Sequence, residues 1–435
     1  MGRTPMTWLD GFTRVDDVRG KGGGTFVNAA PCGVIHTTEG SNIDAALSVY
    51  RSKMVAPHCT VDPARRIRLQ HLPLDRSAYA LVNDNGGVNG RKIALTVEDD
   101  AYNPAQTLEK TRKLVQQDKV FAMVGSLGTA PHSTVLDFLN ENKVPDLMVS
   151  SGSMSWNQPE KYPWTFGWQV DYWREGKIMA NYVKENFAGK KYCTFGQSDD
   201  LGSDGAAGVE SVLGKGALKV KEQYSATNQN VAPQIGKLQA GGCEVIFSFA
   251  IPGFTSLALG TAAKLGYSPQ WVMSSVGADP VALKGYLGAN AEALLKPTIG
   301  ISYMPLLDDD NPWIDLFKEI HEKYNKGQVL DMTTLHGYMM SYAALQPIAA
   351  AGKDLTREGV IEALEKGIDR GPSSTPFAYS KDNHAGQTGA FMTKLEGLTP
   401  VRITPTYVTD DSDGPIEKFE DDPEPVKNKG IPTAD

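Results

Sequence analysis

The sequence is poor in cysteine and has no long apolar run. Four cysteines, Cys32, Cys59, Cys193 and Cys243, are scattered over 435 residues with no Cys-x-x-Cys pair, which argues against a thiolate zinc site or a dithiol redox motif. Cys193 falls in an expected strand and Cys243 just before another. Both read as buried core thiols, with a disulfide between neighbouring strands left open. No segment approaches the ~20 apolar residues that span a bilayer, so no membrane span is expected. The opening MGRTPMTWLDGFTRVDD lacks the apolar core of a secretion signal. Basic residues are not in excess either: 43 Lys and Arg against 51 Asp and Glu give a net charge of −8. With no Lys/Arg-rich run, nucleic acid is not an expected partner.

What is present is ordinary globular material, 41% hydrophobic and 22% charged, long enough for two or three domains. The organising stretch runs from Lys119 to Ser153. Val120–Val124 is a short apolar run stopped by Gly125-Ser-Leu-Gly-Thr129, and Val144–Val149 is a second run stopped by Ser150-Ser-Gly-Ser153. Both runs are too short for buried helices, so they are expected to be adjacent parallel strands. Their carboxyl ends then share a crevice where loop amides and hydroxyls meet a ligand. Further along, Lys191–Phe195, Glu244–Ala250 and Trp271–Val276 read as strands, alternating with helices at 173–187, 205–213, 231–240, 256–265 and 280–287. This alternation implies α/β architecture with parallel sheets covered on both faces.

The N-terminal part has a different character. Gly33–Gly40, Ser41–Ser52, Pro57–Pro63 and Ile67–Leu72 give a βαββ pattern. GVIHTTEG, PHCTVDPARRIRLQHLPLDRSAYAL and TWLDGFTRVDDVRGKGG resemble the first half of zinc-dependent N-acetylmuramoyl-L-alanine amidases of phage-lysin type. The resemblance implies a zinc-ligand role for His36. A zinc site needs three or four converging ligands, and the remaining amidase ligands have no counterpart here.

From Leu81 onward, NDNGGVNGRKI, EDDAYNPAQ, KVFAMVGSLGT and KVPDLMVSSGS together resemble the leucine/isoleucine/valine-binding proteins, type I solute-binding proteins of ABC importers. That resemblance runs to about residue 400. It implies a two-lobed fold whose lobes close on a ligand by a hinge motion. Lobe 1 is expected at 84–169 and 302–372, and lobe 2 at 170–301 and 373–400. Residues 1–83 form an incomplete amidase-like segment, and 401–435 are expected to be a solvated acidic tail. The family's first strand-loop-helix is replaced by the amidase-like segment, which implies a chimera joined near Asn83–Val88. Whether Gly33–Ser52 fills the vacant edge is left open.

The resemblance also implies a site. A ligand carboxylate would meet Thr129 and Ser153, with Ser126, Ser151 and Gly152 beside them. The position of the family's second-lobe carboxylate falls at Ser275 or Val276, and its aromatic positions at Leu201 and Ile251. A buried ammonium without a counter-charge is costly, so an α-amino acid is disfavoured unless Asp199, Asp200 or Asp279 substitutes. Carboxylates, aromatic acids and amides fit better, with Phe254 and Trp156 as candidate ring contacts. The expected function is noncovalent capture of a small polar or carboxylated molecule for an importer permease, as a monomer without cofactor or catalytic residues. The resemblance places it in the periplasm or outside the cell, although no signal is visible. The alternatives are a zinc amidase and a nonfunctional chimera.

Overall fold

The computed structural model describes residues 66–69 and 76–433, with side chains from Ser77 onward. The expected amidase-like elements before Arg66, His36 among them, lie outside the described residues.

Strand β1 (Arg66–Leu69) pairs in parallel with β2 (Lys92–Leu95). Among the described residues the neighbour of β2 is Arg66–Leu69; Gly33–Ser52 lies outside them. The same residues, part of the expected strand Ile67–Leu72, thus serve a parallel pair with β2. Between them runs a helix, Arg76–Asp84, whose Asn83 side chain exchanges two hydrogen bonds with the Ile93 backbone, at 2.8 and 2.7 Å. In the following turn a Cβ on Gly87 would lie 2.0 Å from the Arg91 carbonyl oxygen, so only glycine closes it.

The first lobe is built on the parallel sheet β3 (Met123–Val124), β4 (Asp146–Val149) and β5 (Thr165–Gly167), in that order. β4 is wholly buried, with its one acidic residue, Asp146, hydrogen-bonded to His132 at 2.8 Å. Helix Met332–Ala350 packs on β4 and helix Pro312–Tyr324 against Arg76–Asp84, so both distant helices return to this lobe.

The second lobe carries a nine-stranded sheet. Its parallel part is β6 (Tyr192–Gln197), β7 (Val220–Tyr224), β8 (Val245–Phe249), β9 (Gln270–Met273) and β10 (Ile299–Ser302). β11 (Gly389–Glu396) runs antiparallel to β10. β12 (Thr399–Arg402) and β13 (Thr406–Val408) both pair antiparallel with β11, and β14 (Glu417–Phe419) with β13. Helices Tyr172–Asn186 and Asp200–Leu213 cover one face and approach closely, because a Cβ on Gly208 would lie only 2.2 Å from the Trp173 carbonyl oxygen. Aspartates start these elements: Asp171, Asp199 and Asp279 each accept a hydrogen bond from an amide in the first turn of the helix they cap.

Two expectations are corrected. Cys193 and Cys243 form a disulfide, buried between β6 and the start of β8, in place of two free thiols. Residues 401–433 are also not a loose tail, since β13 and β14 extend the second-lobe sheet. Their carboxylates take part in packing: Asp410 pairs with the buried Lys177, Asp421 with Arg402 and Glu424 with Arg370. A charge run read alone looks solvated, whereas here its counter-ions lie far away in sequence.

Candidate functional site

The carboxyl ends of β3 and β4 in one lobe face those of β6, β8 and β9 in the other, with the chain crossing between the lobes at 168–171. Thr129 begins a short helix after Gly128, and its hydroxyl lies 2.8 Å from the Ser151 hydroxyl and 3.2 Å from the Tyr172 phenol. Ser151 and Tyr172 are 3.3 Å apart, closing a buried triad of hydroxyls across the lobe boundary. Burial raises the Tyr172 pKa, so the phenol stays protonated and can donate. Gly152 is needed at this spot, because a Cβ there would meet the Val170 carbonyl at 2.7 Å and the Tyr172 ring at 2.8 Å. The Ser126 hydroxyl is buried and unpartnered.

The second-lobe wall is acidic. Glu175 lies one turn along the helix that Tyr172 begins and is fully buried. Its Oε1 accepts the Ser275 amide at 3.3 Å, at the carboxyl end of β9, while its Oε2 has no partner. Burial pushes its pKa up to about 8, against a lowering by Ser275 and with a smaller raising by Asp171. Asp200 Oδ2 accepts hydrogen bonds from the hydroxyls of Ser153 and, at 2.8 Å, Ser155. The Met154 amide donates to Asp204 at 3.0 Å. Burial, reinforced by Asp200 and other neighbouring carboxylates and opposed by that amide, pushes Asp204 up to about 7. These contacts hold the Ser151–Ser155 loop of one lobe against the helix N-terminus of the other. Thr333 to Asp279, 3.0 Å, and Gln197 to Tyr102, 3.1 Å, bridge the lobes as well. Ala101 and Tyr102 both have positive φ, 53° and 56°, a strained backbone that turns the Tyr102 ring over Gly128.

A third group lies on the hinge side. His336 approaches Ser150 at 3.2 Å and the Tyr303 phenol at 3.5 Å, and its ring is tilted on Trp168 at 4.5 Å. Desolvation lowers the His336 pKa to about 4, leaving a neutral imidazole at neutral pH.

Thr129, Ser151, Gly152, Ser153 and Asp200 therefore meet at the interlobe boundary, while Ser126 lies beside Ser150 in the first lobe and Ser275 meets Glu175 in the second. Phe254 stands apart: it is buried in the second-lobe core and stacked on Tyr224 at 4.0 Å. Trp156 sits behind the loop with its edge on His132. Tyr172, Glu175, Tyr303 and His336 were not expected. The available signal was that Tyr172 and Glu175 fall three apart in the first turn after a chain crossing, and so share a helix face. Ser275 contributes an amide, and a carboxylate reaches that amide from the neighbouring helix. Among the described residues no group of three His, Cys, Asp or Glu side chains could hold a metal ion, and no helix is long and apolar enough to cross a membrane.

Two sheets with clefted carboxyl ends define a two-lobed periplasmic-binding-protein fold of type I. A family model described as periplasmic binding protein matches residues 76–397, about three-quarters of the chain, and the protein belongs to that family. Leu/Ile/Val-binding protein homolog 1 of Brucella abortus (strain 2308) is 25% identical over 326 residues, covering 74% of this chain and 84% of the relative. A possible leucine/isoleucine/valine-binding protein from Rhodopirellula baltica SH 1 shares the fold with TM-score 0.70 at 18% identity, covering 79% of this chain and 98% of that one. A branched-chain amino acid ABC transporter structure from Thermus thermophilus with bound valine gives 0.69 at 16% identity, covering 80% and 97%. A fatty acid ABC transporter substrate-binding protein from Thermomonospora curvata gives 0.72 at 19%, covering 84% and 99%. The amidase resemblance falls almost wholly before the matched region, overlapping it only at Arg76–Leu81, and the comparisons do not support a chimera.

Proposed function

We propose that this protein captures a small carboxylated molecule between its lobes, and that the ligand also carries an N–H or cationic nitrogen group. The observation that carries the reading is the unpartnered, buried Oε2 of Glu175, on the same helix as the Tyr172 phenol that completes the hydroxyl triad. Neutral hydroxyl donors suit a carboxylate. A buried acid lacking a partner suits a donor, because leaving it unsatisfied costs about 1–3 kcal/mol. Glu175 is neutral while the cleft holds no cation, and a bound ammonium would draw it into its ionised form; it can thus become the counter-charge that Ser275 lacks, which restores α-amino acids to the ligand class beside the polar and carboxylated molecules suggested by sequence. Named relatives include Leu/Ile/Val-binding and fatty-acid-binding proteins of ABC transporters, so the partner proposed here is an importer permease, with the protein itself a binding protein and not an enzyme. The buried Cys193–Cys243 disulfide suits an oxidising compartment, in keeping with a periplasmic or extracellular location. The amidase alternative draws no support from the described residues.

The test is thermal unfolding of the purified chain against branched-chain and polar amino acids, aromatic and aliphatic carboxylates, and amides. A ligand at 100 times its Kd adds about 2.7 kcal/mol of stability. Stabilisation by amino acids that is lost in Glu175→Gln supports both parts of the reading. Stabilisation by simple carboxylates, equal in both proteins, refutes the role of Glu175 and leaves the receptor. Silence from the whole panel counts against the ligand class.

A further inference from the structure

Residues beyond 397 lie outside the matched family region, yet they touch two of the places where the chain passes between lobes, near 168–171 and 371–377, and come close to the other, near 298–304. At the first crossing, the Thr409 carbonyl accepts from Arg174 Nε at 2.8 Å. Lys177 Nζ, on the same helix, sits among four oxygens: Asp410 Oδ1 at 2.8 Å and the carbonyls of Asp410, Ser412 and Gly414 at 3.2, 2.7 and 3.0 Å. A Cβ on Gly414 would lie 2.1 Å from the Asp410 carboxylate, so the glycine leaves room for that carboxylate to meet the ammonium. Asn157, in the first lobe, donates to Asp411 at 2.8 Å. Near the second crossing, Arg402 lies 3.7 Å from Asp309.

At the third crossing the chain itself changes lobes. Asp421 Oδ2 is tied to the second lobe by Arg402 at 2.6 Å and Thr406 at 2.7 Å. Three residues later the Glu424 carbonyl accepts from Trp313 Nε1 at 2.8 Å, and its carboxylate accepts the Gly371 amide at 3.2 Å. The Asp422 carbonyl accepts from Arg370, Lys427 pairs with Asp369, and Gly430 packs on Leu316, Trp313 and Tyr338. Asp421 and Asp422 are thus held from opposite sides across a single peptide unit, about 3.8 Å between their Cα atoms, and Asp421 and Glu424 across three, with a full reach of about 11 Å.

We propose that Thr409–Ile431 is a fourth interlobe connection, a strap that holds the lobes toward the closed arrangement and limits how far the cleft opens. Hinge opening concentrates its rotation in a few crossing residues. A short segment anchored on both sides of those residues must either stay within its reach or release an anchor. Release at the Lys177 end would strip four oxygens from an almost fully buried ammonium, which is costly. The Asp422–Lys427 end is more exposed and is the weaker anchor.

The experiment inserts six Gly/Ser residues between Asp421 and Asp422 of the full chain, leaving both anchorages intact but slack. Small-angle scattering reads the lobe separation, and amide exchange at Met154 reads the bond to Asp204 across the cleft. The strap predicts a larger radius of gyration and exchange at Met154 faster by roughly tenfold, with β8 amides unchanged. A folded insertion variant that matches the parent in both readouts overturns the proposal. If the insertion prevents cooperative folding, Glu424→Ala removes one first-lobe anchor and is read the same way. A smaller shift in the same direction supports the strap, and no shift refutes it.

Discussion

Replacing Glu175 by Gln should change how stability depends on pH. The Glu175 carboxyl titrates at about 8 in the folded chain, against an ordinary value of 4.5. Between those values the folded state holds a proton that the unfolded state has released, so folding takes up a proton and stability falls as pH rises. The penalty is absent below the unfolded pKa, grows by up to about 1.4 kcal/mol per pH unit, and levels off above the folded pKa. Across the window it amounts to roughly 5 kcal/mol, an upper figure because water entering the cleft relaxes it. Gln keeps the shape and an acceptor for the Ser275 amide but does not ionise. Urea midpoints at pH 5, 6, 7 and 8 for parent and Glu175→Gln should therefore diverge, with the variant gaining on the parent at each step. Taking the difference cancels Asp204 and His336, which titrate in both proteins. A difference that stays constant from pH 5 to pH 8 would refute the reading of Glu175 as a buried, neutral acid.

Replacing Cys193 and Cys243 by Ser opens a 50-residue loop, and the chain-entropy relation puts the loss at about 4 kcal/mol. Denaturation midpoints with and without reductant should show this loss in the parent and no reductant effect in the variant. Gly208→Ala forces a Cβ against the Trp173 carbonyl at 2.2 Å, so the two helices must part. A drop in stability of about 1–3 kcal/mol is expected by calorimetry, the range for overpacked sites. Thr129→Val removes a donor from the hydroxyl triad while keeping its volume, and should weaken a carboxylate ligand by roughly tenfold or more in titration calorimetry. The melting temperature of the unliganded protein should move little by comparison.

Much of the fold was legible in the sequence because strands buried on both faces write themselves as unbroken apolar runs. Val245–Phe249 is one such strand, and its neighbours follow at regular spacing with Pro, Asp or Asn at the helix starts. The hydroxyl loops were legible for the same reason, since Thr129 and Ser151 end two adjacent runs. Glu175 was not. It sits within a helix pattern containing Arg174 and Lys177, and its spacing from Tyr172 does not by itself distinguish an acid facing the cleft from one facing water. Phe254 shows the reverse case: an aromatic at a plausible cleft position is used instead for core stacking on Tyr224.

The sequence by itself determined the α/β alternation, the strand ends that form the cleft, and the absence of long apolar segments, because these depend on periodicity and local chemistry. Only the tertiary structure decided which distant groups meet. It brought Cys193 to Cys243, gave Arg66–Leu69 to β2 as a partner, placed Glu175 beneath Ser275, and wrapped the acidic C-terminal residues around Lys177 and across the hinge. The physical reason is that burial and pairing of charge are properties of the packed chain. A carboxyl next to water and one sealed against the Ser275 amide are the same letter until the chain packs around it.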